Sequence, residues 1–400
     1  MTESTVQKIL KAVEKKGDAA LLNFTRRFDR FHATARNIEV ARSERRSAWK
    51  RVDPQIIRAL KNVAQRIRRF HEKQRPKDYL LKESGILTGL RWGPLDRVGI
   101  YVPGGRAAYP STVLMNAIPA SVAGVSEIVM VTPTPEGILN PAVLVAADLS
   151  GVHRIFRVGG AQAIAALAFG TKTIPKVDKI VGPGNRFVAE AKRQVFGIVG
   201  IDSIAGPSEV VILADNSANP TWIAADLIAQ AEHDPEAIPL VLSPSRPLLT
   251  KIRREVERRI KLIPRRKIAE AAFIKNGDAI WVRDLEAGCD WINRRAPEHV
   301  EIQTGNPRKW AKKIRHAGAI FLGPFSPVAA GDYGVGPNHV LPTGGTARFS
   351  SPLGVHDFMK ATSVIEIKYE ALKRLAQTTE TLARMEGLTG HAESVEVRFQ

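Results

Sequence analysis

Short runs of apolar, β-branched residues recur along most of the chain, each separated from the next by a stretch with helical periodicity. This alternation limits the fold more than any other feature. The runs fall at 98–102, 127–132, 154–158, 179–181, 210–214, 240–242, 279–282 and 319–322. Several are almost continuously apolar, the pattern of strands covered on both faces. Between them, 111–123, 161–168, 186–196 and 220–233 carry helical patterns. Strand–helix alternation of this kind builds open, mostly parallel sheets, so the fold class is α/β. The first hundred residues read as mainly helical and basic, and beyond Pro352 the pattern predicts two helical segments and a short tail. At 400 residues the chain exceeds what one core organises, so two or more domains follow.

A net charge of +19 raises the question of a nucleic-acid partner. The basic residues, however, are spread over amphipathic helices. In 56–70, Ile56, Leu60, Val63 and Ile67 form one stripe, with Arg58, Lys61, Arg66 and Arg69 mostly off it, and 251–267 is similar. No RNP, zinc-finger or helix-turn-helix signature accompanies them. They read as solvated helix faces, not as a nucleic-acid site. Such a field still favours anionic cofactors. No apolar run is long enough to span a bilayer, and the N-terminus lacks an apolar region followed by a cleavage site. The expectation is therefore a cytoplasmic protein without a membrane partner. The single cysteine, Cys289, excludes an intramolecular disulfide and a Cys-based zinc cluster. It has no adjacent base or cationic group, so it reads as a structural thiol, not as the nucleophile of an aldehyde dehydrogenase.

Five motifs carry polar chemistry. Glycine-rich turns at 101–106, 159–162 and 182–185 each follow a predicted strand and precede a helical pattern. Glycine lets backbone amides approach a ligand, and the helix N-terminus favours a pyrophosphate. None matches GxGxxG, and each alone is more often an ordinary tight turn; three together point to a nucleotide. Gln230 and His233, three apart on one predicted helix, face the same way and suit a divalent metal, or simply a polar helix end. Glu298 and His299 of APEH set a carboxylate beside an imidazole, a pairing suited to proton transfer or to an ordinary surface. The segment 331–345 is dense in glycine and proline yet carries Asp332 and His339, and reads as a functional loop or a plain connection. Near the C-terminus, EGLTGH ends on His391, which by itself is a terminal helix with a dangling imidazole.

Taken in order, YVPGG, GGAQAIAALAFGT, VDKIVGPGN, AGPSEV, QAEHDP, APEH, GDYGVGPNHVLPTGGTARFSSPLG and EGLTGH resemble the histidinol dehydrogenase family from about Gly17 to the C-terminus. The resemblance implies two Rossmann-like open-sheet domains, incomplete and without GxGxxG, plus a small helical C-terminal extension. A zinc and substrate domain would take 1–100 and 207–351, an NAD-binding domain 101–206, and a dimerisation tail 352–400. It implies one zinc ion per subunit on Gln230, His233, Asp332 and His391, and acid–base work by Glu298 and His299. Substrate contacts would add Ser208, His339 and Glu386, and NAD contacts Tyr101, Gln162 and Asn185. It further implies four-electron oxidation of L-histidinol through L-histidinal to L-histidine with two NAD. The protein would be a homodimer whose C-terminal histidine reaches the partner's zinc site. The chain departs from the family in an apparently shortened N-terminal segment. The nearest rival is a zinc- and NAD-dependent dehydrogenase of the same superfamily acting on another small alcohol, such as a sulfonated diol; His339 and Glu386 together argue for histidinol.

Overall fold

The computed structural model of the chain describes residues 2–104, 109–204 and 206–400. Its strands in chain order are β1 (Tyr79–Glu83), β2 (Ile86–Pro94), β3 (Arg97–Tyr101), β4 (Glu127–Thr132), β5 (Arg154–Arg157), β6 (Lys179–Val181) and β7 (Gly200–Ile201). They continue with β8 (Glu209–Ala214), β9 (Ile238–Ser243), β10 (Asp278–Trp281), β11 (His299–Gln303), β12 (Ala319–Leu322) and β13 (Met359–Ile367). Two sheets are parallel throughout and share one order, β5-β4-β3-β6-β7 and β10-β9-β8-β11-β12. The α/β class read from the apolar runs is the fold observed.

The chain divides into two compact units. The first, residues 2–74 and 95–358 among those described, holds both parallel sheets. Strands β4 and β8 are buried almost end to end, as strands covered on both faces must be. Helix Gly160–Phe169 is apolar on every side and accordingly buried nearly all round. It packs with the N-terminal helices on one face of the first sheet, around Leu21, Ile164 and Leu167. In the second sheet, alternate residues of each strand serve opposite faces. Val210 and Ile212 meet Ile223 and Leu227 of helix Pro220–Ala231, while Val211 and Leu213 meet Cys289 and Ile292 of helix Leu285–Arg295.

The second unit, residues 75–94 and 359–400, is an antiparallel sheet β1-β2-β13 followed by helices Tyr369–Met385 and Thr389–Glu396. Here the structure corrects the expectation of helix alone. Residues 79–94 and 359–367 are strands, and they escaped the reading because β1 is exposed along its whole length and β13 along most of it. Solvated strands carry no core-facing stripe. A second correction lies at 251–267. The basic segment is two helices, Arg246–Arg259 and Arg266–Asn276, because Pro264 cannot continue a helix.

Candidate active site

Helix Leu285–Arg295 ends on Ala296, which adopts a left-handed conformation (φ 53°), and Pro297 then directs the chain into β11. A left-handed alanine costs about 1 kcal/mol relative to glycine, so the turn is held by its surroundings. It delivers Glu298 and His299, both buried, to the amino end of β11, beside the first residue of β8. The peptide of Glu209 grips both. Its N–H donates to Glu298 Oε2 at 2.9 Å, and its carbonyl accepts from His299 Nδ1 at 3.0 Å. A carbonyl can only accept, so Nδ1 carries the proton and Nε2 is left as the basic nitrogen. Glu298 Oε2 also lies 3.5 Å from Nδ1. Burial pushes the imidazole down, but the charge and hydrogen bond of Glu298, with the charge of Asp332 and the Glu209 carbonyl, raise it to about 9.

Asp332 reaches this neighbourhood from a short helix, Val328–Tyr333, where the sequence suggested only a glycine-rich loop. Its carboxylate stands 4.0 Å from His339 Nδ1, and burial lowers the pKa of His339 against the pull of Asp332. Asn338 fixes the connecting turn. Its amide donates to Met115 O at 2.7 Å and its carbonyl accepts from Val340 N–H at 2.9 Å. Gln230 is buried on helix Pro220–Ala231. The helix stops two residues before His233, but the His233 N–H still bonds to Gln230 O at 3.3 Å, and the imidazole is exposed. Ser208 is half-buried immediately before Glu209. Glu386 and His391 are exposed in the second unit, the former capping helix Tyr369–Met385 and the latter within helix Thr389–Glu396. Among the described residues, no three His, Cys, Asp or Glu side chains gather into a cation site. Gln230, His233 and Asp332 offer a carboxamide, an imidazole and a carboxylate, a donor set that suits zinc once a further ligand is added.

The three glycine-rich turns gather at the carboxyl edge of the first sheet. Gly105 and Arg106 of the first turn, and Ala205 of AGPSEV, lie outside the described residues. Tyr101 ends β3, buried, and its hydroxyl accepts from Gly160 N–H at 3.2 Å. Burial raises that phenol to about 12. Gln162 is buried two residues on. Asn185 caps the next helix, Arg186–Val195, its Oδ1 accepting from Phe187 and Val188 N–H. Gly182 begins that turn with φ +109°, and a Cβ there would lie 2.1 Å from Tyr101 O, so no other residue fits.

Cys289 is buried against Trp310 O, and burial, with the charge of Glu286, raises its thiol to about 11. It is no nucleophile at neutral pH. Sequence reasoning missed Glu209, whose role in the site runs through its peptide group and leaves no side-chain signal.

The histidinol dehydrogenase family model matches residues 1–399. The histidinol dehydrogenase of Nitrosomonas europaea is 52% identical, aligned over 100% of this chain and 93% of its own. That of Aquifex aeolicus is 51% identical over 99% and 92%. The crystal structure of histidinol dehydrogenase from Elizabethkingia anophelis superposes with a TM-score of 0.95 at 36% identity, covering 100% of this chain and 92% of the other. The chain belongs to the histidinol dehydrogenase family.

Proposed function

We propose that the protein oxidises L-histidinol through L-histidinal to L-histidine, passing two hydrides to two NAD molecules as a cytoplasmic step of histidine biosynthesis. The observation that carries this reading is the Glu209 backbone, which orients a carboxylate and an imidazole side by side and makes His299 Nε2 the nitrogen that exchanges its proton. Gln230, His233 and Asp332 would hold one zinc ion together with the partner subunit's His391. The metal supplies a Lewis-acid anchor for the amino alcohol when bound. Residues 1–100 and 207–351 would form the zinc and substrate domain, and 352–400 the dimerisation tail. That tail leaves Leu81, Ile365 and Met385 exposed on the unit it shares with β1 and β2, the kind of apolar surface a second copy would cover.

In the reacting form the His299 imidazole has lost its Nε2 proton, and Nε2 accepts the hydroxyl proton as hydride leaves the carbinol carbon for the nicotinamide. The aldehyde stays in place, protected from bulk water. Glu298, one oxygen fixed by Glu209 N–H, uses the other to draw a proton from water as it adds to the carbonyl, while His299 Nε2 returns its proton to the carbonyl oxygen; the gem-diol forms, His299 is neutral again and Glu298 passes its proton to solvent. A second hydride then leaves for a second NAD while His299 takes the proton, and the acid is formed. Ser208, His339 and Glu386 would contact the amino alcohol. Tyr101, Gln162 and Asn185 would contact NAD within 101–206.

The test is NADH formation from L-histidinol and from L-histidinal, with zinc content measured in parallel. His299→Asn should lower turnover by about 10²–10⁴-fold with zinc retained, whereas His233→Ala should lose the metal. Near-normal turnover of His299→Asn in both half-reactions would overturn the proton-transfer assignment.

A further inference from the structure

Two carboxyl groups, one fully buried and one half-buried, lie behind the proposed site and take no part in its chemistry. Glu301, on β11, is fully buried. It is two residues from His299 and therefore points to the same face of the sheet. Asp226, on helix Pro220–Ala231, hydrogen-bonds to it. One turn further along that helix, on the same side, is Gln230. Glu301 Oε1 accepts from Val328 N–H at 3.0 Å, and Oε2 accepts from Gln303 Nε2 at 3.3 Å. Val328 opens helix Val328–Tyr333, whose own N-cap, Pro327, supplies no side-chain cap. One turn beyond Val328 is Asp332. A single side chain thus touches the helix bearing Gln230 and caps the helix bearing Asp332, from the strand bearing His299.

Two carboxylates in hydrogen-bond contact inside a protein cannot both be ionised, so the pair holds one proton between them. Burial raises the pKa of both groups, and the charge of Asp226 lifts Glu301 further. We propose that Asp226 and Glu301 form a proton-sharing pair that sets the separation of the Gln230 helix, the Asp332 helix and the His299 strand. Both are positioning residues for the cation site. The inference rests on the zinc reading given above.

The shared proton makes a specific demand. Glu301→Gln keeps the acceptor for Val328 and replaces the shared proton with an amide N–H, with the Gln303 amide turned to present its oxygen, so it should hold both helices as wild type does. Glu301→Ala removes every contact. The experiment measures zinc affinity by competition with a chromogenic chelator and hydrogen exchange of the amides in 326–334, on the full-length protein with folding checked by circular dichroism. Glu301→Ala should weaken zinc binding about 10–100-fold and speed exchange in 326–334 at least about tenfold. Glu301→Gln should stay within about threefold on both. If Glu301→Ala fails to fold, Asp226→Ala against Asp226→Asn makes the same comparison from the half-buried partner.

Unchanged exchange and unchanged zinc affinity in the alanine variant would overturn the proposal, as would a Gln variant as impaired as Ala. Failure of the zinc reading would look different. Wild type and His233→Ala would then bind zinc equally, and the exchange measurement would still decide whether the pair holds the Asp332 helix.

Discussion

Lys192, on helix Arg186–Val195, and Asp202, just after β7, form an ion pair beside the first sheet, their side chains only 3% and 6% exposed. Lys192 Nζ also donates to Gly182 O at 3.0 Å, while Asp202 accepts from Gly182 N–H and from Ser203 N–H, each at 2.7 Å. The pair therefore holds both the N–H and the carbonyl of the glycine that opens the 182–185 turn. Lys192→Met keeps the length of the side chain but strips Gly182 O of its donor and leaves a buried carboxylate with two peptide N–H groups alone. Breaking a buried pair by removing one partner costs about 3–5 kcal/mol. The two remaining N–H bonds to Asp202 place the expected loss near the lower end, about 3 kcal/mol. Asp202→Asn added to Lys192→Met removes the stranded charge, so the double variant should recover about 1–2 kcal/mol relative to the sum of the singles. Urea unfolding of all four proteins measures both quantities. In parallel, the KM for NAD should rise in Lys192→Met while that for L-histidinol stays level. A loss below about 1 kcal/mol with an unchanged KM for NAD would refute the reasoning that this pair fixes the turn.

Cys289→Ser should retain activity, and the wild-type thiol should resist a disulfide reagent until the protein is unfolded; modification of the native protein at neutral pH would contradict its burial and raised pKa. Glu301 keeps its proton in the folded protein above pH 4.5, the ordinary value for a glutamate, chiefly through burial, whereas the unfolded chain loses it there. The stability this lends is complete below that pH and falls as pH rises toward the folded pKa, so Glu301→Gln should gain on wild type from about pH 5 through neutrality; a pH-independent difference would count against the shared proton. Asn338→Ala strips Met115 O and Val340 N–H of their partners and should cost about 2–3 kcal/mol by thermal unfolding. It should also raise the KM for the amino alcohol more than that for NAD, because His339 is its neighbour; equal shifts in both would show that the turn does not serve the substrate side.

The parallel strands were legible because their apolar runs leave no other role for them. Strand β11 was not, since its residues His299, Glu301 and Gln303 are polar yet buried. Their polarity serves the Glu209 peptide and the Asp226 contact, neither of which has a local signature. Strand β7 is two residues long and carries no periodicity at all. Around the site, Glu298 and His299 were found through APEH, and the structure adds the reason for their orientation, a peptide contributed from ninety positions away. Asp332 was assigned through family resemblance, and its short helix was hidden by the glycines on either side. Asp226 sits in a helical pattern where one acidic residue reads as a solvated position, and only tertiary structure shows it half-buried against Glu301.

The two parallel sheets have the same strand order, yet the residues of interest occupy opposite ends of them. In each sheet the chain runs outward from the central strand, then returns to build the other side, leaving a switch point between β3 and β6 and between β8 and β11. Ligands in such sheets usually bind beyond the carboxyl ends of the strands at the switch point. Tyr101 and Gly182 obey this in the first sheet, the one closing β3 and the other following β6. Ser208, Glu209, Glu298 and His299 do the reverse, standing at the amino ends of β8 and β11. In the proposed reaction, hydride transfer requires both ends. Donor and acceptor carbons must come within about 3–3.5 Å, so a nucleotide on the carboxyl edge of one sheet requires substrate groups on whichever edge of the other faces it. The connection 202–208 can span at most about 29 Å from the end of β7 to the start of β8, which keeps these two edges in reach. The helix that follows β3, Pro110–Ala123, touches the turn before His339: Asn338 Nδ2 donates to Met115 O at 2.7 Å. A search of the second sheet at its carboxyl edge alone would therefore have passed over Glu298 and His299, the residues proposed to move protons.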